Sequence, residues 1–341
     1  MKKLVRVFIV LMVIAAIGGV YLWFGVINKK IELNGKPLVI YVRTGEGYEQ
    51  LIQQIEESKA VENMWLFKKL AEFRNLPANV YEGRYTINEE MGYNDLIVYF
   101  RTGKIDEVAV DFHSIRTKDE LAERVSKQIE ASKDSLLDLL NDDQYMSKFG
   151  LNSENALVLF LPNTYKMFWN TGADKFIKRM AKEYKKFWTA ERKEKAKKQG
   201  LSQSEVSVLA SIVMAEQSKR TEEWPIIAGL YLNRLRTGMP LQSDPTAVYA
   251  SGDFTIKRVT HDILAINSPY NTYKNTGLPP GPIYLPAQGA IDAVLNAQKH
   301  NYFYMCASGD GSFKHNFAST LKEHNQNAQL YWRQLDKQNI H

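Results

Sequence analysis

The chain has 341 residues, of which 45% are apolar and 24% are charged, and this is the composition of an ordinary globular protein with two or three domains. Its single cysteine, Cys306, excludes an intrachain disulfide. The net charge of +6 does not indicate nucleic-acid binding, because no groove-reading motif accompanies the Lys-rich segment 178–199, which we expect to be a solvated helix face.

The N-terminal segment is strongly apolar. Residues 7–27 carry no charge, and basic residues flank them on both sides. A run of this length can span a bilayer. A cleaved signal peptide is the alternative, but the run is longer than a typical signal-peptide core and no small-x-small cleavage site follows it. We therefore expect residues 1–30 to form a short cytoplasmic N-terminus and one transmembrane anchor in the cytoplasmic (inner) membrane, with the rest of the chain outside the cytoplasm.

A small unit with the order strand, helix, helix, strand follows the anchor. The pattern predicts strands at 38–43 and 81–87, with helices at 45–58 and 62–75 between them. This order is similar to that of a LysM module, a small fold that binds glycans containing N-acetylglucosamine. We expect a LysM-like module over residues 37–104, with a plain spacer as the alternative.

A related pattern recurs in the next segment. It predicts a strand at 107–114 and helices at 117–132 and 134–142, which suggests a duplicated unit. An aromatic-rich stretch at 156–170 includes Tyr165, whose ring either packs at a domain junction or supports sugar binding. We expect residues 105–172 to form a second small α+β junction region.

Residues 202–218 are predicted to form the helix around which the site is built. Ser202 and Glu205 make a capping-box pattern, and Gly200 ends the preceding helix. Three apolar residues and one acid recur on a single helical face, so the carboxylate of Glu216 comes at the end of a buried row. The residues of this face are Val206, Leu209, Val213 and Glu216.

Glu216 is therefore a candidate general acid. Burial and the negative end of the helix dipole should both raise its pKa, so that the carboxyl group stays protonated near neutral pH and can protonate a glycosidic oxygen. The alternative is a helix-end glutamate turned to solvent. Asp244 is a rival acid, although an aspartate before a proline is also an ordinary turn residue.

Three further stretches give a resemblance to a known family. They are ASIVMAE at 210–216, AGLYLNRLRTGMPLQSDPTAVY at 228–249 and SPYNTYKNTGLPPGPIYLPA at 268–287. Together they resemble the catalytic domain of the endolytic murein transglycosylases. That family commonly has a second acid two residues before the catalytic one, where this chain has Met214. The resemblance implies that the inner acid, Glu216, is catalytic.

The resemblance implies a specific reaction on peptidoglycan. The acid would protonate the oxygen between N-acetylmuramic acid and N-acetylglucosamine. The same group, now a base, would take the proton of the muramoyl C6 hydroxyl, which closes on C1 to leave a 1,6-anhydro end. Cutting nascent strands in this way would terminate their elongation. A hydrolytic muramidase, which would usually need a second carboxylate and a positioned water, is one alternative. A non-catalytic peptidoglycan-binding scaffold is the other.

The remaining candidate residues surround the acid in the sequence. We expect substrate contacts from the turn and from the Pro/Gly-rich loop, and support from polar residues within an apolar helix. The substrate-binding candidates are Gln242, Asp244, Thr246, Asn271, Thr272 and Tyr273, and the supporting candidates are Asn233 and Arg234. We expect neither a cofactor nor a metal, because His315 and His324 have no ligand cluster around them.

The predicted protein is thus of the α+β class. It combines one transmembrane helix, a LysM-like module, a junction region and a C-terminal mixed α/β lytic transglycosylase domain over residues 173–341, whose tail at 302–325 reads as strand, turn and strand. The expected partners are peptidoglycan glycan strands, the cytoplasmic membrane and cell-wall synthases.

Overall fold

The computed structural model describes residues 2–22, 25, 29–33 and 35–337. The α-helices are α1 (Lys2–Leu22), α2 (Tyr48–Ser58), α3 (Met64–Phe73), α4 (Tyr93–Arg101), α5 (Lys118–Ser126), α6 (Lys133–Asn141), α7 (Asp143–Ser147), α8 (Ala173–Phe187), α9 (Ala190–Gln199), α10 (Gln203–Glu216), α11 (Trp224–Arg236), α12 (Asp244–Ser251), α13 (His261–Leu264), α14 (Gln288–Leu295) and α15 (Leu321–Lys337). The strands are β1 (Leu38–Val42), β2 (Gly83–Ile87), β3 (Glu107–Phe112), β4 (Asn163–Phe168), β5 (Tyr304–Ala307) and β6 (His315–Ala318).

The chain divides into two compact units. The first contains residues up to 110 together with 127–131 and 165–172, and the second contains 111–126, 132–164 and the chain from 173 onward. The predicted junction region 105–172 is therefore shared between the two units. The predicted mixture of helices and small sheets is confirmed, with three two-stranded sheets in the described part of the chain.

The predicted anchor begins in a helix, α1. Within the described residues, no helix is both long and apolar enough to cross a membrane. Residues 23, 24, 26 and 27 of the predicted span at 7–27 lie outside the described residues.

The first unit contains the predicted order of strand, helix, helix and strand. β1 and β2 pair antiparallel, with Leu38 against Ile87 and Val42 against Gly83. Alternate residues of each strand point into a core that the apolar faces of α2, α3 and α4 complete. The order is confirmed, while the LysM-like character of the unit stays a prediction.

α10 is the central helix of the second unit. Ser202 and Glu205 form the predicted capping box, and Gly200 ends α9 with a left-handed φ of 76°. The Lys-rich segment, which the sequence predicts as one helix, is instead two. The break falls where the buried Trp188 leaves the helical path and Thr189 caps α9.

α10 is covered on every side and not only on its apolar face. All residues from Val206 to Val213 are buried, including two serines. The hydroxyl of Ser211 donates to the carbonyl of Val208 and accepts from the backbone N–H of Ile283, 3.1 Å away. This contact ties the Pro/Gly-rich loop to the helix.

α11 packs very closely against the segment that leads to β5. A Cβ at Gly229 would lie only 2.2 Å from the carbonyl oxygen of Gln298. Only glycine allows this approach. β5 and β6 then pair antiparallel as the predicted strand, turn and strand, with Ala307 against His315.

Candidate active site

A polar cavity of about 240 Å³ lies at the C-terminal end of α10. Its walls come from α10, α11, the turn before α12, the Pro/Gly-rich loop and the β5–β6 hairpin, all within the second unit. The lining residues are Glu216, Leu230, Tyr231, Arg234, Leu241, Gln242, Asp244, Tyr273, Met305, Cys306, Ala307 and His315.

Glu216 is the last residue of α10, and its partly buried side chain opens into this cavity. Its Oε1 accepts a hydrogen bond from the Tyr231 hydroxyl at 2.7 Å and another from the Ser243 hydroxyl. Burial raises the pKa of Glu216 and outweighs the two hydrogen bonds, which favour the ionised form; the charge of Asp244 raises the pKa further. The predicted direction of the pKa shift is therefore confirmed, and the solvent-turned alternative is wrong.

Replacing Tyr231 by Phe should move the high-pH limb of activity to higher pH. A general acid loses activity as pH rises through its pKa, and Tyr231→Phe removes a hydrogen bond that favours ionised Glu216, so that pKa should rise further. The check is kcat/KM measured against pH. Tyr331→Phe, on α15, is the matched control, and a limb that moves to lower pH would contradict the assignment.

The turn before α12 and the first residue of α12 bring two predicted residues to the cavity. Gln242 is exposed and has a φ of 49°, in the left-handed region that a non-glycine residue rarely adopts. Its N–H donates to the carbonyl of Thr272 at 3.1 Å, which holds the turn against the Pro/Gly-rich loop. Asp244 follows and accepts a 2.5 Å hydrogen bond from the Tyr273 hydroxyl.

Asp244 and Tyr273 form a polar pair on the cavity wall. Burial and the neighbouring carboxylate of Asp244 raise the pKa of Tyr273, so its phenol stays protonated and donates. Asp244 is exposed. Both residues lie where the sequence predicts, and their contact with substrate stays a prediction.

Three predicted substrate residues do not face the cavity, and this prediction is corrected. Thr246, Asn271 and Thr272 are at most 1% exposed. The two threonine hydroxyls lie 2.7 Å apart, and the Thr246 hydroxyl also donates to the carbonyl of Ser243. The amide of Asn271 donates to the carbonyls of Leu264 and Ile266. They therefore hold the turn and the loop in place.

The two predicted supporting residues of α11 join the parts of the cavity wall. Arg234 is buried and donates to the carbonyls of Phe303 and Leu241, each at 2.7 Å, and of Pro240 at 3.1 Å. Burial lowers its pKa. The Asn233 amide donates to the carbonyls of His300 and Tyr302. Such contacts suit the predicted supporting role.

Tyr165 lies on β4 and belongs to the first unit. Its side chain is 7% exposed, and it is not among the residues that line the cavity. Its supporting role stays a prediction.

The sequence interpretation missed Tyr231, Ser243 and the role of His315 as a cavity-lining residue. A tyrosine within an otherwise apolar helix is a usable signal, because a buried hydroxyl needs a partner. Ser243 lies between two predicted substrate-binding residues, Gln242 and Asp244, but a serine in a turn is too common to indicate a site.

Met214, at the position of the family's second acid, does not line the cavity. Its side chain packs against the core around α10, and its sulfur accepts the N–H of Ala287 at 3.3 Å. The side chain of an acid at this position would pack against apolar core residues and would not reach a substrate in the cavity.

Met214→Glu should therefore destabilise the fold by about 1–3 kcal/mol, because a carboxylate would lose hydration among apolar side chains and the single N–H of Ala287 would not replace it. Met214→Leu, which keeps the apolar volume, should cost less than about 1.5 kcal/mol. Denaturant unfolding of both variants tests this, and equal stability of the two would contradict the packing argument.

The fold and the cavity define a class of site. A partly buried carboxylic acid with a raised pKa, on the wall of a polar cavity, is a general acid site. The YceG-like family model matches residues 40–330, and the chain belongs to this family.

Two curated relatives carry the name endolytic murein transglycosylase. The protein from Bacillus subtilis (strain 168) is 28% identical over 334 residues, which cover 92% of this chain and 91% of that protein. The protein from Streptococcus pneumoniae serotype 2 (strain D39) is 26% identical over an alignment of 363 positions, gaps included, and this alignment covers 96% of this chain. The match covers 64% of the length of the pneumococcal protein.

A solved structure has the same fold. The 2.6 Å crystal structure of a yceG-like protein from Listeria monocytogenes superposes with a TM-score of 0.58 at 25% identity. The superposition covers 85% of this chain and 98% of the Listeria chain.

Proposed function

We propose that this protein is an endolytic peptidoglycan lytic transglycosylase. It cleaves the bond between N-acetylmuramic acid and N-acetylglucosamine in nascent glycan strands, leaves 1,6-anhydro ends and so terminates elongation. The observation that carries the proposal is the raised pKa of Glu216 at the wall of a polar cavity. The family and the names of the relatives supply the substrate class.

The cavity residues suit the first step of this reaction. Protonated Glu216 gives its proton to the bridging oxygen, and the bond from C1 to that oxygen breaks. The carboxylate that remains accepts hydrogen bonds from Tyr231 and Ser243, which stabilise the charge it has just gained. The acetamido group of the sugar can steady the cationic carbon while the C6 hydroxyl closes on it.

The same cavity also has to bind the strand. Gln242, Asp244 and Tyr273 present an amide, a carboxylate and a phenol at its wall. These groups match the hydroxyl and amide groups of amino sugars. Arg234 and the buried threonines act behind them, as the scaffold of the turn.

The test is digestion of uncrosslinked glycan strands, with the end groups of the products read by mass spectrometry. Internal cuts with anhydro ends are expected. Reducing ends would favour the hydrolytic muramidase, for which Asp244 is the available second carboxylate. No cleavage by folded protein that still binds strands would favour a binding scaffold.

The proposal includes a location. An anchor over residues 7–27 would hold the enzyme in the cytoplasmic membrane with its body outside the cytoplasm, near the synthases that make its substrate. The basic residues on both flanks and the uncharged run support this. The LysM-like unit at 37–104 would add a second glycan contact.

Removing residues 1–28 should release the protein from membranes. The cut leaves Lys29, whose carbonyl accepts the N–H of Tyr93 and whose ammonium pairs with Glu62, so the edge of the first unit stays intact. The check is the distribution of both forms between membrane and supernatant after an alkaline wash. Persistent detergent dependence of the shortened protein would argue against a single anchor.

A further inference from the structure

Trp65 is one of the most exposed aromatic side chains of the first unit. It is the second residue of α3, and it is 71% exposed. An indole in this position leaves a large apolar ring in contact with water, whereas tryptophan is enriched at the boundary between a membrane and water. The position of Trp65 relative to the predicted anchor shows that it can reach such a boundary.

Only one residue, Asn28, separates the predicted anchor from the packed part of the first unit. The uncharged run ends at Ile27. The backbone of Lys29 is already bonded to the first residue of α4, because its carbonyl accepts the N–H of Tyr93. Ile31 is buried in the core of the unit. The connection is therefore too short to hold the unit at a distance from the anchor.

The length of this connection places one edge of the first unit in the headgroup layer. Two residues of extended chain reach about 7 Å, so Lys29 lies within about that distance of the end of the predicted span. The headgroup layer on each side of a bilayer is about 5–8 Å thick. If residues 7–27 cross the hydrocarbon core, the edge that carries Lys29 meets the headgroups.

The start of α3 lies on this same edge. The ammonium of Lys29 pairs with the carboxylate of Glu62 at 2.5 Å. The Tyr93 hydroxyl accepts the backbone N–H of Asn63, the residue that caps α3. Trp65 follows two residues later. Side chains of a helix lean toward its N-terminus, so the indole leans toward the end of α3 that these contacts hold against Lys29.

The charged groups of this edge nearly balance. Lys29 and Glu62 pair with each other. Beside them, Lys30, Glu32 and Glu90 are all exposed, so basic groups are not in excess. The edge is therefore suited to an aromatic contact with the interface and not to electrostatic attraction by anionic lipid.

We propose that this edge of the first unit docks on the outer interfacial layer of the cytoplasmic membrane, with the Trp65 indole inserted among the headgroups. The inference rests on the proposed anchor and adds a second contact to it. Two contacts fix the orientation of the unit on the bilayer, which one span alone does not. A single inserted ring does not hold a protein on a membrane, so release of the protein that lacks residues 1–28 is still expected.

Fluorescence quenching by brominated lipid tests the insertion. The full-length protein carries Trp23→Phe in every sample, so that the predicted span contributes no tryptophan signal. In phosphatidylcholine vesicles brominated near the headgroup end of the acyl chains, part of the fluorescence should be quenched. Trp65→Phe should remove most of this quenching. Trp332→Phe should keep it, and it is the matched control because Trp332 is also exposed but lies on α15 of the second unit.

Three results would overturn the docking. They are quenching that survives Trp65→Phe, no quenching in a protein that the vesicles retain after an alkaline wash, and quenching that requires added phosphatidylglycerol. Both variants replace exposed side chains, so their melting temperatures should stay near that of the parent protein.

The same samples separate this proposal from the proposed reaction. Loss of the protein from the vesicles in the alkaline wash would overturn the anchor and the docking together. Anhydro ends formed from glycan strands by that protein would leave the lytic function standing.

Discussion

Glu216→Gln should abolish turnover while the protein stays folded and binds glycan. Glutamine keeps the size of the side chain and can still accept the hydrogen bonds of Tyr231 and Ser243. It cannot donate a proton to the leaving oxygen with the acidity that the step needs. The loss should be at least about 10²–10⁴-fold, the contribution of one general acid step. Mass spectrometry of the end groups measures the turnover, and thermal unfolding measures whether the protein stays folded.

Asp244→Asn is the control for that variant. Asp244 lines the same cavity and also carries a carboxylate, but its hydrogen bond from Tyr273 and its exposed position suit substrate orientation. We expect it to retain measurable cleavage. If Asp244→Asn were inactive and Glu216→Gln active, the acid would be the aspartate of the turn.

Arg234→Met should cost roughly 3 kcal/mol or more of folding free energy and most of the activity. The variant keeps the apolar stem but leaves the carbonyls of Pro240, Leu241 and Phe303 without their donor, and an unsatisfied buried acceptor costs about 1–3 kcal/mol. Pro240 and Leu241 are the two residues directly before Gln242 and Ser243. Without Arg234 this turn should shift, and the Ser243 hydroxyl that donates to Glu216 should move with it.

Arg236→Met is the matched control on the same helix. Arg236 is exposed and bonds the side chains of Gln199 and Asn233. Its loss should change the free energy of unfolding by less than about 0.5 kcal/mol, as surface substitutions usually do. The test is to measure the free energy of unfolding in denaturant and the cleavage rate for both variants. Equal effects would mean that the Arg234 contacts do not hold the wall.

The sequence was most informative where local rules determine the structure. The capping box at Ser202, the stop at Gly200 and the end of the apolar row at Glu216 depend on neighbours within one or two helical turns, and all three are found as predicted. Local patterns also predict the order of elements in the first unit and the final hairpin.

The failures concern side chains whose direction depends on tertiary packing. Thr246 lies in the first turn of α12 and Thr272 in the Pro/Gly-rich loop, and the sequence cannot distinguish polar residues that face a cavity from those that bond each other. Tyr231 and Ser243 lie 15 and 27 positions from Glu216, so only the folded chain shows that they share its oxygen. The break at Trp188 likewise follows from core packing.

Gly229 shows how far the requirements of this cavity extend into residues that never meet a ligand. α11 carries Tyr231 and Arg234 to the cavity only because residue 229 has no side chain to push Gln298 away. A genetic screen would rank this position with the acid itself, since any larger residue displaces two cavity residues at once. Intolerance to substitution at position 229 would therefore report on the spacing of α11 and not on the chemistry of the site.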